Sequence, residues 1–267
     1  MMGGLSIPLL LRCFLRTYVV GAAYNPRGLQ NIGFTFALEP GLMAIYGRGK
    51  ALRNARLRYA RHYNCHPFLT PWLLGVYLRM EADINRGVLA PQVLVSLKDT
   101  TANALSGIGD SFFSGSLMNT WALTMTGLIL SGQVTAALAA SLISFILLQF
   151  FKLTTFFMGF SRGIAFLSIM KRVNLINWSE RLKCINAVLL VWVLWSILPQ
   201  VGISAWGGVA LYLLLAGWLI GKVHVPRIFV AILLLVLAVA LHLTDMFGQM
   251  PALWSVDYED FIYRKLL

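Results

Sequence analysis

Asp110 is a carboxylate placed at the edge of a strongly apolar part of the sequence. It lies within the glycine-rich segment 107–115 (GIGDSFFSG), which precedes a series of apolar stretches. A charge at the mouth of a membrane domain is costly to keep there. Glycines allow a non-helical bend, and at membrane depth such backbone survives only where it lines a cavity or is buried in protein. The segment therefore predicts a polar site inside or beside a bilayer, as in a transport pathway.

Three further polar residues, Asn64, His66 and Glu81, flank short segments broken by proline or glycine. Amide and carboxylate groups exchange hydrogen bonds with hydroxyls, and aromatic rings pack against the apolar face of a sugar. These residues and Asp110 are therefore candidate substrate-binding residues. A purely structural interpretation is also open, in which Asn64 caps a half-helix and His66 bonds a backbone carbonyl. In that interpretation Glu81 or Asp110 pairs with an arginine.

Other chemistries find little support in the sequence. None of the four histidines stands at a familiar metal-ligand spacing from a cysteine or carboxylate, so we expect no metal site. Neither a phosphate-binding loop nor a nucleophile elbow occurs. Ser111 has no evident base beside it, and the Gly107-x-Gly109 fragment follows no strand pattern. We therefore expect no catalytic residue and no cofactor in this chain.

The composition is typical of a membrane protein. Of the 267 residues, 58% are hydrophobic and 12% are charged, whereas soluble domains carry about 25% charged residues. The net charge of +12 is better explained by cytoplasmic loops, which retain lysine and arginine, than by nucleic acid, because no recognition module is present. Three distant cysteines indicate no disulfide framework, and the order of charged and apolar residues at the start indicates no cleaved signal peptide.

Residues 1–63 predict an amphipathic and basic helical region at the cytoplasmic face. Residues 5–20 are apolar but contain two arginines, which predicts a helix lying on the membrane surface. A second helix is expected over 28–44, interrupted at 39–40 by Glu-Pro. Residues 48–61 contain six basic and no acidic residues. They predict a helix near anionic lipid head groups, or a solvated face that only fixes topology.

Residues 64–115 predict re-entrant segments that carry the motifs NCHPF at 64–68 and GIGD at 107–110. Two prolines are expected to break any helix before Trp72. The apolar run 72–77 is too short to span a bilayer, so we expect a re-entrant segment or half-helix there.

Residues 116–267 predict a transmembrane helical domain. The predicted span at 136–151 is expected to continue past Lys152 toward Arg162. Basic connections at 171–183 and 222–227 are expected in the cytoplasm and the C-terminal tail outside. The predicted fold class is an all-α integral membrane protein with about five transmembrane helices, re-entrant or half-helix segments and an N-terminal amphipathic helical region. The expected location is the inner plasma membrane, as a multi-pass protein. The predicted spans are 116–130, 136–151, 186–198, 206–220 and 228–243.

Four motifs in register resemble the IID membrane component of the mannose/fructose/sorbose family of the sugar phosphotransferase system. No single motif is decisive, but their order and separation match the pattern of that family over roughly residues 8–170. The motifs are YN and LQNIGF within 24–34, NCHPF at 64–68, LGVYLRME at 74–81 and SGIGDSFF at 106–113.

The resemblance implies a permease subunit of a phosphoenolpyruvate-dependent sugar phosphotransferase system. Such a subunit forms the translocation pathway for a hexose-type sugar with a IIC subunit in the lipid bilayer. It docks a IIB domain, and the IIA and IIB phosphocarrier components complete a higher-order hetero-oligomer. The phosphorylated residues then belong to the soluble partners and none is expected here. His66 occupies a position that varies in kind in the family, which argues against its covalent modification.

The sequence also departs from the family pattern. Met118 and Asn119 stand where a basic residue and a proline are common, and Arg61 stands where an acidic residue is usual. The region after about residue 200 has no room for the longer polar insertion of many members. A second class of function therefore stays open, a non-transporting membrane scaffold or sensor derived from the same family.

Overall fold

The computed structural model describes residues 5–197 and six residues of a later segment, and over these residues the chain is helical. No strand is found among these residues, and isolated bridges join Leu29 to Asn25 and to Tyr63. The all-α prediction is therefore confirmed. The six later residues are Gly207, Ala210, Leu211, Leu214, Leu215 and Trp218. The helices are α1 (Ile7–Arg16), α2 (Asn31–Tyr46), α3 (Lys50–Tyr59), α4 (Thr70–Asn85), α5 (Pro91–Gly109), α6 (Met118–Leu130), α7 (Val134–Arg162), α8 (Ala165–Val173) and α9 (Leu175–Ile197), with a 3-10 segment (Thr17–Ala23) and a π segment (Asp110–Leu117).

The chain divides into two compact units. The first comprises Met1–Gly127 with Thr135–Trp192, and the second comprises Leu128–Val134 with Val193–Leu267. All four candidate site residues belong to the first unit. The division of the sequence into 1–63, 64–115 and 116–267 stays a prediction. The predicted span at 228–243 and the C-terminal tail lie outside the described residues, as does most of 206–220.

Helix α1 has apolar side chains on two faces. Leu10, Cys13 and Phe14 are buried in the core of the first unit. Leu11 and Leu15 point outward and are exposed. A buried face fixes the helix to the protein, while an exposed apolar face beside arginines suits the membrane interface.

Helix α2 is continuous, so the predicted interruption at Glu39-Pro40 is wrong. Pro40 lies inside the helix and has no N–H to donate to the carbonyl of Phe36 one turn earlier. Arg16 supplies the missing donor, because its Nη1 donates to that carbonyl at 3.0 Å. Its guanidinium also lies 4.1 Å from the centroid of the Phe36 ring, a favourable cation–π contact.

Helix α4 is the central helix of the first unit. The predicted short run at 72–77 is part of this 16-residue helix, in which nearly every residue from Thr70 to Ala82 is buried. Pro71 occupies the first turn, where the ring fits and no intrahelical donor is lost. The helix therefore begins at Thr70, next to this proline, and no helix runs into it from the preceding loop, as predicted. A helix that is buried on nearly all sides is surrounded by protein, and its buried carboxylate at Glu81 has an arginine partner.

The backbones of α4 and α7 touch where they cross. A Cβ on Gly75 would overlap the carbonyl oxygen of Phe156. A Cβ on Gly159 would lie 2.7 Å from the carbonyl oxygen of Trp72. Small residues at such a crossing allow the close approach that holds membrane helices together. Both glycines are therefore needed for packing and not for a turn.

Helix α7 is the one helix among the described residues that is long and apolar enough to cross a membrane. It has 29 residues and a mean hydropathy of 2.1 over its most apolar window, and 6% of that window is buried. It contains the predicted span at 136–151 together with the continuation past Lys152 to Arg162. The predicted spans at 116–130 and 186–198 correspond largely to α6 and to the second half of α9.

The predicted non-helical bend at Asp110 is wrong. The chain is helical without a break from α5 through the π segment into α6, and the three glycines of 107–115 have no positive φ. Gly109 has a different role, because a side chain there would overlap the Cβ of His66. A π segment is rare, and it often marks a functional site.

The crossing of α4 and α7 predicts the effect of two glycine substitutions. Gly75→Ala places a methyl group against the Phe156 carbonyl, so we expect a loss of about 1–3 kcal/mol of stability from overpacking. The control is Gly107→Ala, since a Cβ there meets nothing within 4 Å and alanine favours the helix. Thermal unfolding in detergent measures both. Equal stability of the two variants would contradict the close crossing.

Candidate polar site at the π segment

Polar side chains of α9 hold the π segment in place. The carbonyl of Ser111 accepts hydrogen bonds from Ser116 Oγ at 3.1 Å and from Ser179 Oγ at 3.0 Å. Asn186 Nδ2 donates to the carbonyl of Ser116 at 3.0 Å. A π turn leaves carbonyls without the usual helical donor. The side chains of Ser179 and Asn186 donate to two carbonyls of this segment and so connect it to α9.

The loop before α4 binds the π segment and the end of α5. Asn64 Nδ2 donates to Ser106 Oγ at 3.1 Å. His66 Nε2 lies 3.1 Å from Ser114 Oγ, and the Phe68 N–H donates to His66 Nδ1 at 3.2 Å. Because Nδ1 accepts, the proton of the neutral ring is on Nε2, which donates to Ser114. Both nitrogens of His66 are thus engaged.

The imidazole of His66 is held among aromatic rings. It stacks on Phe113 with centroids 5.2 Å apart and meets the edge of Phe68 at 5.0 Å. Burial lowers the pKa of His66, and the nearby charge of Asp110 opposes this shift in part. The ring is therefore kept neutral, because a buried imidazolium loses hydration.

Asp110 lies close enough to act on His66 but keeps its own carboxylate at the surface. The residue is exposed, and among the described residues it takes part in no ion pair. Three of the four candidate residues, Asn64, His66 and Asp110, thus come together. We call these three residues with Ser106, Ser114, Phe68 and Phe113 the His66 cluster.

Glu81 lies apart from the other three candidates. It is fully buried near the far end of α4, about 16 Å along the helix from its first residue. Arg58 donates from Nε at 3.1 Å and from Nη2, and the Tyr46 hydroxyl donates at 2.7 Å. Burial and the Glu81 carboxylate raise the pKa of Tyr46. Glu81 therefore forms the arginine pair that the sequence left open, and the basic run 48–61 is more than a solvated face.

Two buried lysines lie near these sites and were not singled out from the sequence. Lys152 of α7 places Nζ 3.5 Å from the ring centroid of Tyr18 and 6.0 Å from that of Phe68. Lys98 of α5 donates to the carbonyl of His62 at 3.1 Å and so ties down the loop before Asn64. A lysine inside an apolar stretch is a signal that could have identified Lys152.

A sequence profile described as PTS system mannose/fructose/sorbose family IID component matches residues 5–195. The matched region contains the His66 cluster, the Glu81–Arg58 pair and α7. The chain belongs to this IID family. It is therefore a membrane protein of the sugar phosphotransferase system.

The IID chain is similar to two relatives over the same length. It is 27% identical over 152 residues to the fructose permease IID component of Bacillus subtilis, which is 56% of this chain and 54% of that protein. It is 28% identical over 152 residues to the mannose-specific EIID component of Escherichia coli K12, which is 56% of this chain and 52% of that protein. The matched region thus spans about half the length of these relatives.

Two solved structures share the fold of the IID chain. One, described only as a membrane protein, aligns with a TM-score of 0.63 and 20% identity over 88% of this chain and 96% of that chain. The other is a complex of the mannose transporter ManYZ with microcin E492, with a TM-score of 0.50, 21% identity and the same coverage.

The buried pair predicts that Glu81→Gln strongly destabilises the IID chain. The substitution keeps the shape but leaves the Arg58 guanidinium, 12% exposed, without its counterion, and breaking such a pair costs about 3 kcal/mol. The matched control is Glu39→Gln, whose partner Arg56 is 46% exposed, so water replaces the lost interaction. Thermal unfolding in detergent should show a large loss only for Glu81→Gln. Similar melting temperatures of both variants would argue against a stabilising role of the buried Glu81–Arg58 pair.

The lowered pKa of His66 predicts a pH dependence of stability. Below the unfolded value of 6.5, the unfolded chain binds a proton that the native imidazole resists, so stability falls as the pH drops through this window. His66→Asn removes this contribution while its side chain can still accept from Phe68 N–H. Unfolding of wild type and variant across this window measures the difference, with His62→Asn, an exposed histidine, as control. If the stability of wild type and of His66→Asn changed with pH in the same way, the lowered pKa of His66 would be refuted.

Proposed function

We propose that this IID chain is the membrane permease subunit of a phosphoenolpyruvate-dependent sugar phosphotransferase system. In this proposal it forms the sugar pathway with a IIC subunit and docks a cytoplasmic IIB domain. The observation that carries the proposal is the His66 cluster, a group of polar side chains held against aromatic rings. Family membership over residues 5–195 supports the same conclusion.

The His66 cluster has the chemistry that a sugar site requires. Asn64 and Ser106 share a hydrogen bond at 3.1 Å, and Ser114 and Asp110 are exposed. Amide, hydroxyl and carboxylate groups together can donate to and accept from several sugar hydroxyls. The neighbouring Phe68 provides a surface for the apolar face of the ring. Glu81 does not belong to this set in the present structure, because Arg58 and Tyr46 already occupy its oxygen atoms.

The same geometry argues against phosphorylation of His66. His66 is 6% exposed, and both of its ring nitrogens have hydrogen-bond partners. A phosphoryl transfer needs a free nitrogen within reach of the donor. This agrees with the proposal, in which the family resemblance assigns the phosphorylated residues to the IIA and IIB components.

The membrane arrangement is proposed as multi-pass, in the inner plasma membrane. Helix α7 is the span that length and hydropathy support, and about five spans are expected from the sequence. Basic segments at 48–61 and 171–183 face the cytoplasm in this arrangement, because lysine and arginine are retained there. The IIC subunit, the IIA and IIB components and a hexose-type sugar complete a hetero-oligomer. The fructose and mannose named for the two relatives support the hexose class.

Asp110→Asn tests the proposed pathway. The variant keeps the shape and one acceptor but removes the charge. Loss of a charge-assisted hydrogen bond to a hydroxyl costs about 1.5–3 kcal/mol, which lowers sugar affinity about ten- to a hundredfold. Uptake by cells and binding by the purified complex measure the effect, while co-purification with the IIC subunit reports assembly. Glu180→Gln is the control, since its side chain on α9 is 65% exposed.

The two readouts separate the competing accounts. Reduced uptake with intact assembly supports the sugar pathway. Intact uptake with lost assembly would make the segment around Asp110 a structural element only. A wild-type complex that assembles but binds no hexose would favour the alternative, a membrane scaffold or sensor derived from the family.

A further inference from the structure

An open groove of about 690 Å³ lies between α2 and α3, away from the His66 cluster. Three apolar side chains line it and are more than 45% exposed: Ile32 at 57%, Phe36 at 47% and Leu57 at 58%. Exposed apolar groups that share one groove indicate a surface that binds something. They are not needed for the core, since the inner faces of α2 and α3 already bury other residues.

The groove carries an excess of positive charge. Arg53 lines it, is exposed, and takes part in no ion pair among the described residues. Arg56 also lines it but is neutralised by Glu39, with Nε 3.0 Å from Oε2. Arg16 lies over the ring of Phe36 and donates to a neutral carbonyl. Arg53 and Arg16 thus keep their charge beside the apolar floor.

The apolar floor and the positive charge of Arg53, with Arg16 next to Phe36, together match one class of ligand. A free phosphate would be bound by the arginines but would gain nothing from Ile32, Phe36 and Leu57. A neutral lipid would cover the apolar side chains but would leave the charge of Arg53 unmatched. An anionic phospholipid satisfies both, because its acyl chain covers apolar surface and its phosphate accepts from a guanidinium.

The geometry points to a binding site for an anionic phospholipid in the α2–α3 groove, with the phosphate at Arg53 and an acyl chain along Ile32, Phe36 and Leu57. The site belongs to a membrane protein whose basic segment 48–61 is expected on the cytoplasmic side, where anionic lipids are common. It is independent of the sugar pathway, because no residue of the His66 cluster lines the groove.

Native mass spectrometry of the full chain, purified with the subunits that accompany it, tests the site. The protein is titrated with dioleoyl phosphatidylglycerol and with dioleoyl phosphatidylcholine. We expect preferential binding of phosphatidylglycerol and an about fivefold loss of affinity in Arg53→Gln, the effect of one arginine near an anionic surface. The control is Arg48→Gln, an equally charged and exposed position that does not line the groove.

A second variant tests the apolar floor. Ile32→Ser with Leu57→Ser changes two exposed side chains, so folding should persist while phosphatidylglycerol binding falls. Equal losses in Arg53→Gln and Arg48→Gln would overturn the site in favour of diffuse charge attraction. Equal binding of phosphatidylcholine would overturn the preference for anionic lipid. Displacement of the lipid by soluble glycerol phosphate at millimolar concentration would replace the lipid site with a simple anion site.

Discussion

The close crossing of α4 and α7 is the constraint on which the rest of the structure depends. Gly75 and Gly159 let the two backbones touch, so a mostly exposed apolar helix is joined to the most buried helix of the unit. That contact places Phe151 of α7 5.6 Å from Phe113 of the π segment, and Phe113 in turn stacks on His66. The polar residues before α4 are therefore held beside a helix that is long and apolar enough to cross a membrane. A larger residue at either glycine would push α4 and α7 apart.

The polar residues at the two ends of α4 differ in whether a carboxylate is still free to bind a ligand. Glu81 has its carboxylate oxygens occupied by Arg58 and Tyr46 in a fully buried setting, so a ligand would have to break a charged pair to reach it. The His66 cluster is different, because the neutral imidazole is fixed by Ser114 and Phe68 while Asp110 remains exposed. A satisfied buried pair contributes to folding, whereas an exposed carboxylate beside a rigid polar shell can still bind a ligand.

The sequence predicted features that depend on local pattern and missed those that depend on distant contacts. The apolar run of α7 and the basic helix α3 follow from composition alone, and the motifs led to the family and to three residues that do meet. The interruption predicted at Pro40 fails because Arg16, which is distant in sequence, supplies the missing donor. The bend predicted at Asp110 fails because Gly109 makes room for His66 and not for a turn. The separation of Glu81 from the cluster depends on Arg58, and no spacing in the sequence identifies that partner.

The central claim is that the His66 cluster lines a sugar pathway, and protection of a cysteine at position 114 tests it most directly. Ser114→Cys is placed in a background without Cys13, Cys65 and Cys184, and its rate of modification by a charged methanethiosulfonate reagent is measured with and without each hexose of a panel. Ser168→Cys, at an exposed position on α8, serves as control. The account predicts that a transported hexose slows labelling at 114 and leaves 168 unchanged. An unchanged rate at 114 in a variant that still takes up the hexose would contradict it.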